Sequence, residues 1–333
     1  MVSIQISAGF QYRTAHAVLV TLVIIISNVS CSSGMNSGNT MKDAPSNTVT
    51  ALAKSPSRIR AAADIGLLAE GGRSTNYLKT PKHFKAGDPL VTYEGPGWES
   101  DKIAYRLYLD GRNAIDIFGK RQPESILHRV GRGEDYHTMA HWGMDILKVG
   151  HSLGAGGFGI LANGEAKQIG PARYFSAEII ENTADRATVR VIHEQSLACG
   201  DDIAATYTID AGERLTRIQV KGACRHAFVA GLVIHPETIR LASTVSSGEW
   251  QYVARYGKQT LLSDNLGMAL FFKRSTVASL EQDGNDDFIV FKSGKSATYM
   301  TGSAWEQEKG GLRTLDAFES WLKTTQTKLN HTQ

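Results

Sequence analysis

The chain has 333 residues, 42% of them hydrophobic, with 33 glycines and a formal net charge of only +3. So small a charge excludes the basic field that nucleic-acid binding needs, and the apolar content excludes a chain too polar to fold. Abundant glycine in a globular composition implies a fold with many turns.

The first thirty residues contain no Asp or Glu, carry Arg13 and run apolar from Ala17 to Ile26. This predicts an export signal, because the run is only about half of the roughly twenty residues that a transmembrane helix needs. Asn28-Val29-Ser30-Cys31 followed by SSGMNSGNT resembles a bacterial lipoprotein processing site, with Asn28 where a Leu is usual. Residues 1–31 are therefore read as an export or lipoprotein signal with Cys31 as the candidate lipidated residue. The Ser, Asn, Thr and Gly of residues 32–57 have little to bury and form a flexible linker. The expected destination is the periplasm, or the outer membrane through the lipid anchor at Cys31.

Residues 58–333 suit a single domain. RIRAAADIGLLA, residues 58–69, has the composition of a helix. In KIAYRLYLDGRNAIDIFGK, alternation puts Ile103, Tyr105, Leu107 and Leu109 on one face, and Ala104, Arg106, Tyr108 and Asp110 on the other, with a turn at Asp110-Gly111. Alternating runs return in RATVRVIHEQSL and in IAATYTIDAGERLTRIQVKG, where Asp210-Ala211-Gly212-Glu213 makes the turn, then in AFVAGLVIHPETI, EWQYVARYGKQ, GMALFFKR, DDFIVFKSG and SATYMTGSAW. So many consecutive short strands predict an all-β fold, a large antiparallel β-sandwich. The tail closes with a helix: Thr314 is a plausible N-cap, and Leu315, Phe318, Leu322 and Leu329 form an apolar stripe. Cys199 and Cys224 flank adjacent strands, and either a disulfide or two buried thiols fits.

Three of the ten histidines lie in EDYHTMAHWGMDILKVGHSLGAGGFG. His137, His141 and Asp145 are each four apart, a spacing that permits a metal without requiring one. Thr138 stands where a zincin has Glu, and Gly143 weakens a helix. Proton transfer and a structural role also fit. The glycines from Gly154 to Gly159 satisfy G-x-G-x-x-G, but no helical pattern follows to place a dipole behind a phosphate. They are read as a wide loop in which the backbone approaches something closely.

Arg106 and Tyr108 share a strand face, where a guanidinium can clamp a carboxylate and a phenol can move a proton. Trp98, Trp142, Trp250 and Trp305 are each either core or a sugar-stacking platform. His235 ends an apolar run at a strand rim and is preferred over His193 as a third working histidine. Glu94, Glu99, Asp101, Asp116, Glu237 and Glu306 are the acids from which a glycosidase pair would be drawn. No nucleophile elbow is present.

YEGPGWESDKIAYRLYLDGRNAIDIFGK, YHTMAHWGMDILKVGHSLGAGGFG, AATYTIDAGERLTRIQVKG, GLVIH, DNLGMALFF and SAWEQE with the C-terminal helix together resemble the DUF4861 family over roughly residues 85–325. The resemblance implies a galactose-mutarotase-like β-supersandwich in an exported protein of uronate-polysaccharide breakdown, acting on substrates from polymers such as ulvan or pectin. It implies an oligosaccharide as the partner, with no metal and no cofactor. The expected activity is a dehydratase that eliminates water from a terminal uronate and leaves a 4,5-unsaturated end. In that scheme His141 is the base, His137 or Tyr108 the acid, and His235 a further acid or base. Arg106 and Trp142 bind, and Trp98, Trp305 and Glu306 contribute to sugar binding. A glycoside hydrolase or polysaccharide lyase, or a non-catalytic glycan-binding lipoprotein, is the alternative.

Overall fold

The computed structural model describes residues 60–133, 135–243 and 248–332. The export signal, Cys31 and the 32–57 linker lie outside them. The described residues form an all-β antiparallel sandwich closed by one C-terminal helix.

The largest layer is a nine-stranded sheet. Its order is Thr238–Ala242, Trp250–Lys258, Asn265–Lys273, Ser296–Trp305, Leu215–Gly222, Ile203–Asp210, Arg186–Ser196, Ala172–Asn182 and Tyr77–Lys79. Two five-stranded sheets pack on its inner face. One runs Ala61–Asp64, Gly97–Ser100, Ala104–Leu107, Ile115–Lys120, Gly143–Asp145, and the other Glu165–Gln168, Ala155–Ala162, Phe228–Val233, Asp286–Phe291, Val277–Gln282. They meet at a bridge between Ile115 and Gly154.

Strand alternation builds this core. Along Ile203–Asp210 and Leu215–Gly222, the residues Ile203, Ala205, Tyr207, Ile209, Ile218 and Val220 are buried between the layers while their neighbours face outward. The turn between them closes with the Glu213 N–H donating to the Asp210 carbonyl at 3.2 Å. Cys199 and Cys224 are bonded to each other, tying the turn after Ser196 to the end of the Leu215–Gly222 strand.

On the outer face of the large sheet lies the helix Leu315–His331, capped by the Thr314 side chain, which accepts from the Ala317 N–H. Phe318 and Leu322 are buried, with Phe318 stacked on Tyr256. Gly267 makes room for that ring, since a Cβ there would meet Phe318 at 2.3 Å.

Two expectations are corrected. The described residues 60–69 do not form the expected helix: Ala61–Asp64 is a strand paired with Gly97–Ser100, Ala63 lying opposite Trp98, and only a single 3-10 turn follows at Leu68–Glu70. Ala61 and Ala63 pack into the main core, and that pairing outweighs the helical propensity of the alanines. The glycine run is not a loop either. Ala155–Ala162 is a buried strand, although the close backbone approach is real: a Cβ on Gly159 would lie 2.1 Å from the Lys167 carbonyl oxygen.

Candidate functional site

The hairpin that turns at Asp110-Gly111 sets Arg106 directly opposite Asp116, and the next strand sets Asp145 opposite Phe118. One face of this sheet, with Tyr105, Leu107, Ile115 and Ile117, joins the main core. Its other face is covered by residues 121–133 and 135–142, whose Ile126, Leu127, Val130 and Trp142 pack with Phe118. Glu99 holds that cover down: its Oε1 accepts from Ser125 Oγ and the Ile126 and Leu127 N–H groups, and its Oε2 accepts from Lys120 Nζ at 2.6 Å. A face patterned as polar is therefore buried, and its charges must be paired internally.

Arg106 is the centre of that pairing, with 2% of its side chain exposed. Nη2 donates to Asp116 Oδ2 and to Asp145 Oδ2, both at 2.7 Å, and Nε also reaches Asp116. Tyr108 Oη donates to Asp116 Oδ2 at 2.7 Å, and the Ile117 N–H donates to Asp116 Oδ1. Donors so concentrated make Asp116 the anion that balances Arg106. Burial, and then the charge of Asp116, push the Asp145 carboxyl up to about 8, against the pull of Arg106. Burial likewise raises the Tyr108 phenol, with Asp116 adding to it.

Four side chains carry this buried base to the surface. The Asp145 N–H donates to the Tyr136 carbonyl at 2.8 Å, which fixes Tyr136 and His137 above the strand. Arg106 Nη1 donates to Tyr136 Oη at 3.4 Å. The Tyr136 phenol is raised by burial, with Arg106 opposing. The rings of Tyr136 and His137 are 4.4 Å apart. His137 is 57% exposed, with Nε2 3.6 Å from Asp145 Oδ2 and Nδ1 3.3 Å from Asp135 Oδ1. Glu94 lies 3.7 Å from Arg106 Nη1 and accepts from Arg112 Nη2 at 2.9 Å. Arg112 in turn lies 3.7 Å over the Tyr108 ring and is held by both oxygens of Asp110.

Next to this cluster opens a cavity of about 720 Å³ whose wall includes Asp110, Arg112, Lys82, His83, Lys85 and Arg173. His83, Glu94, Asn113 and Gln195 have φ of +62°, +67°, +48° and +52°. Left-handed backbone in residues other than glycine costs free energy that the surroundings must offset, and it concentrates at functional sites. Here His83 and Gln195 lie in the cavity wall and Glu94 at the neighbouring cluster, while Asn113, Asn163 and Ser263 hold the same conformation elsewhere.

The residues expected to act are only partly brought together. Arg106, Tyr108 and His137 share the cluster, but Arg106 and the Tyr108 hydroxyl are turned inward onto carboxylates, so Arg106 does not offer its guanidinium to a ligand. His141 and Trp142 occupy a two-residue turn closed by Ala140 and Gly143, with His141 exposed and Trp142 buried. His235 lies instead near Lys148 and Arg255. Its Nε2 is buried without a partner among the described residues, and burial lowers its pKa.

The tryptophans expected as sugar platforms are core. Trp98 donates to Thr216 Oγ1 and stacks on Tyr207, Trp305 donates to Asp264 Oδ1, and both are fully buried, while Trp142 and Trp250 are nearly so. Glu306, half-buried, accepts from Asn265. His193 is buried against Asn113, and burial pushes it down to about 3. Among the described residues no three His, Cys, Asp or Glu side chains gather as a metal site, so His137, His141 and Asp145 do not form one.

Sequence reasoning missed Tyr136, Arg112 and the cavity cations, and it weighed Asp145 only as a metal ligand. The pairing of Arg106 with Asp116 was within reach: a hairpin centred on Gly111 puts 106 against 116 by counting alone.

A family model described as a domain of unknown function, DUF4861, matches residues 38–332. The chain belongs to that family. No curated protein and no solved structure matches it.

Proposed function

We propose that this member of the DUF4861 family is a carbon–oxygen lyase that eliminates water from the terminal uronate of an oligosaccharide, acting outside the cytoplasm. The observation that carries the reading is the half-buried Tyr136 and exposed His137 held together over the buried Arg106–Asp116–Asp145 cluster and beside a cationic cavity. An elimination of this kind needs a base, an acid and a cation for the carboxylate, and the cluster holds all three.

His137 takes the C5 proton of the uronate. The C4–O bond breaks as the leaving hydroxyl receives the Tyr136 phenol proton, and C4 and C5 become doubly bonded. Tyr136 is suited to the acid role because burial keeps its phenol protonated. The exposed imidazolium then loses its proton to solvent and the phenolate regains one from it, so the cycle closes with water as the only loss. Arg106 supports the transient phenolate through its contact with Tyr136 Oη. Arg112 uses Nε and Nη2 on Asp110 and Glu94 and keeps Nη1 for the uronate carboxylate. The base is thus His137 rather than His141, and the acid Tyr136 rather than the inward-turned Tyr108. The disulfide fits an oxidising compartment and supports the export reading.

The test is turnover of saturated uronate-ended oligosaccharides by folded His137→Ala and His141→Ala variants. The first should lose on the order of 10²–10⁴-fold in rate, the usual worth of a general base, and the second should keep its rate. The reverse order would return the base to His141. A wild-type protein that binds these oligosaccharides without converting them would be a glycan-binding protein instead.

A further inference from the structure

The cavity beside the cluster is more cationic than the proposed elimination requires. Of the charged groups in its wall, Asp110 is paired through both oxygens with Arg112 Nε and Nη2. Lys82, Lys85 and Arg173 remain, and none of the three makes an ion pair with a carboxylate among the described residues. Arg173 Nη1 instead donates to the neutral Gln195 Oε1 at 3.0 Å. Two wall residues, His83 and Gln195, hold left-handed backbone, one in the turn that carries Lys82 and Lys85 and one on the strand beside Arg173, and such backbone has a cost in free energy. Phe84 and Leu197 supply apolar wall between the charges.

A single reacting uronate does not account for this wall, because its carboxylate is met at Arg112. That guanidinium is also the partition between the two spaces: it covers the Tyr108 ring on the cluster side and lines the cavity on the other. A chain whose terminal sugar reaches His137 therefore runs past Arg112 into the cavity.

We propose that the cavity is a subsite for a second negatively charged sugar, one that follows the reacting uronate, and that Lys82, Lys85 and Arg173 bind its oxyanion. The proposal rests on the elimination reading for the direction of the chain, while the charge preference rests on the cavity alone. The recognised chemistry is an oxyanion on a sugar ring, either a carboxylate or a sulfate ester. Exposed cations of this kind set affinity and its salt dependence more than the chemical step.

The experiment is calorimetric binding of uronate-ended trisaccharides that differ only in the later sugars, neutral, carboxylated or sulfated, to the wild-type protein, to a Lys82→Ala, Lys85→Ala, Arg173→Ala variant and to His137→Ala. The wild type should bind a charged trisaccharide about tenfold more tightly than the neutral one, the order expected of a few exposed charge contacts, and high salt should erase the difference. The triple variant should lose the preference and His137→Ala should keep it. The carboxylated and sulfated arms then show which oxyanion is favoured. Equal binding of neutral and charged trisaccharides, no binding of any, or a preference that survives the triple substitution would overturn the subsite. Charge-selective binding without elimination would leave the subsite standing and remove the lyase reading.

Discussion

Asp116 and Asp145 both touch Arg106 Nη2 at 2.7 Å, yet replacing them with Asn should have very different effects. Asp145, its carboxyl raised to about 8 by burial and by Asp116, is largely protonated at pH 6. Asp145→Asn there keeps the folded site neutral and gives up at most one ordinary hydrogen bond, about 1 kcal/mol, while removing the cost of protonating a carboxylate that is ionised in the unfolded chain, so it should not destabilise the protein. Asp116→Asn removes the anion opposite a guanidinium that is 2% exposed. An unpaired buried charge of this kind costs about 3–5 kcal/mol.

The pH dependence follows with a definite sign. A carboxyl whose folded pKa lies above its unfolded value contributes stability that is complete below the unfolded value and lost as pH rises toward the folded one. For Asp145 the window runs from 3.8 to about 8, and within it the wild type should lose stability relative to Asp145→Asn by up to about 1.4 kcal/mol per pH unit. Urea unfolding of the three proteins between pH 5 and pH 8 measures both effects. Equal costs for the two substitutions at pH 6, or parallel pH profiles for wild type and Asp145→Asn, would refute the assignment of the proton to Asp145.

Other consequences are open to simple tests. Closing a loop of 25 residues should be worth about 3 kcal/mol, so reduction or Cys199→Ser with Cys224→Ser should lower the midpoint of thermal unfolding by several degrees, and an unchanged midpoint would contradict that. Phe318→Ala empties the contact with Tyr256 and Gly267 and should cost about 3–5 kcal/mol in a denaturant titration; a cost below about 1 kcal/mol would mean the helix is not anchored there. Gly159→Ala drives a methyl against the Lys167 carbonyl and should destabilise by at least about 1–3 kcal/mol, while wild-type stability would show that the strand can yield.

Alternation and turn residues marked the strands Arg186–Ser196, Ile203–Asp210 and Leu215–Gly222 of the large sheet, because there the two faces have distinct environments. They failed where that condition failed. Ile115–Lys120 is buried along its whole length, so an alternation that separated apolar from chemical residues did not separate buried from exposed. Arg106, on the equally buried Ala104–Leu107 strand, was therefore expected to face a ligand, when the cluster around Ile126, Leu127, Val130 and Trp142 covers that face. The same cover turns Trp142 inward while leaving its neighbour His141 outside. Glycines at 154–159 lack the side chains that mark a strand, and part of their burial comes from contacts with Ile115 and Thr301, distant in sequence. His137 could be chosen as chemically capable from the sequence. Its height above Asp145 could not, because that depends on the backbone bond between Asp145 and Tyr136.

The most direct measurement is the mass of the product formed when the wild-type protein meets one purified, saturated uronate-ended oligosaccharide, read alongside ultraviolet absorbance. An oligosaccharide of unchanged length that has lost one water and gained the absorbance of a conjugated enol ether is the predicted result. Shorter chains, or water loss at an end that bears no uronate, would contradict it.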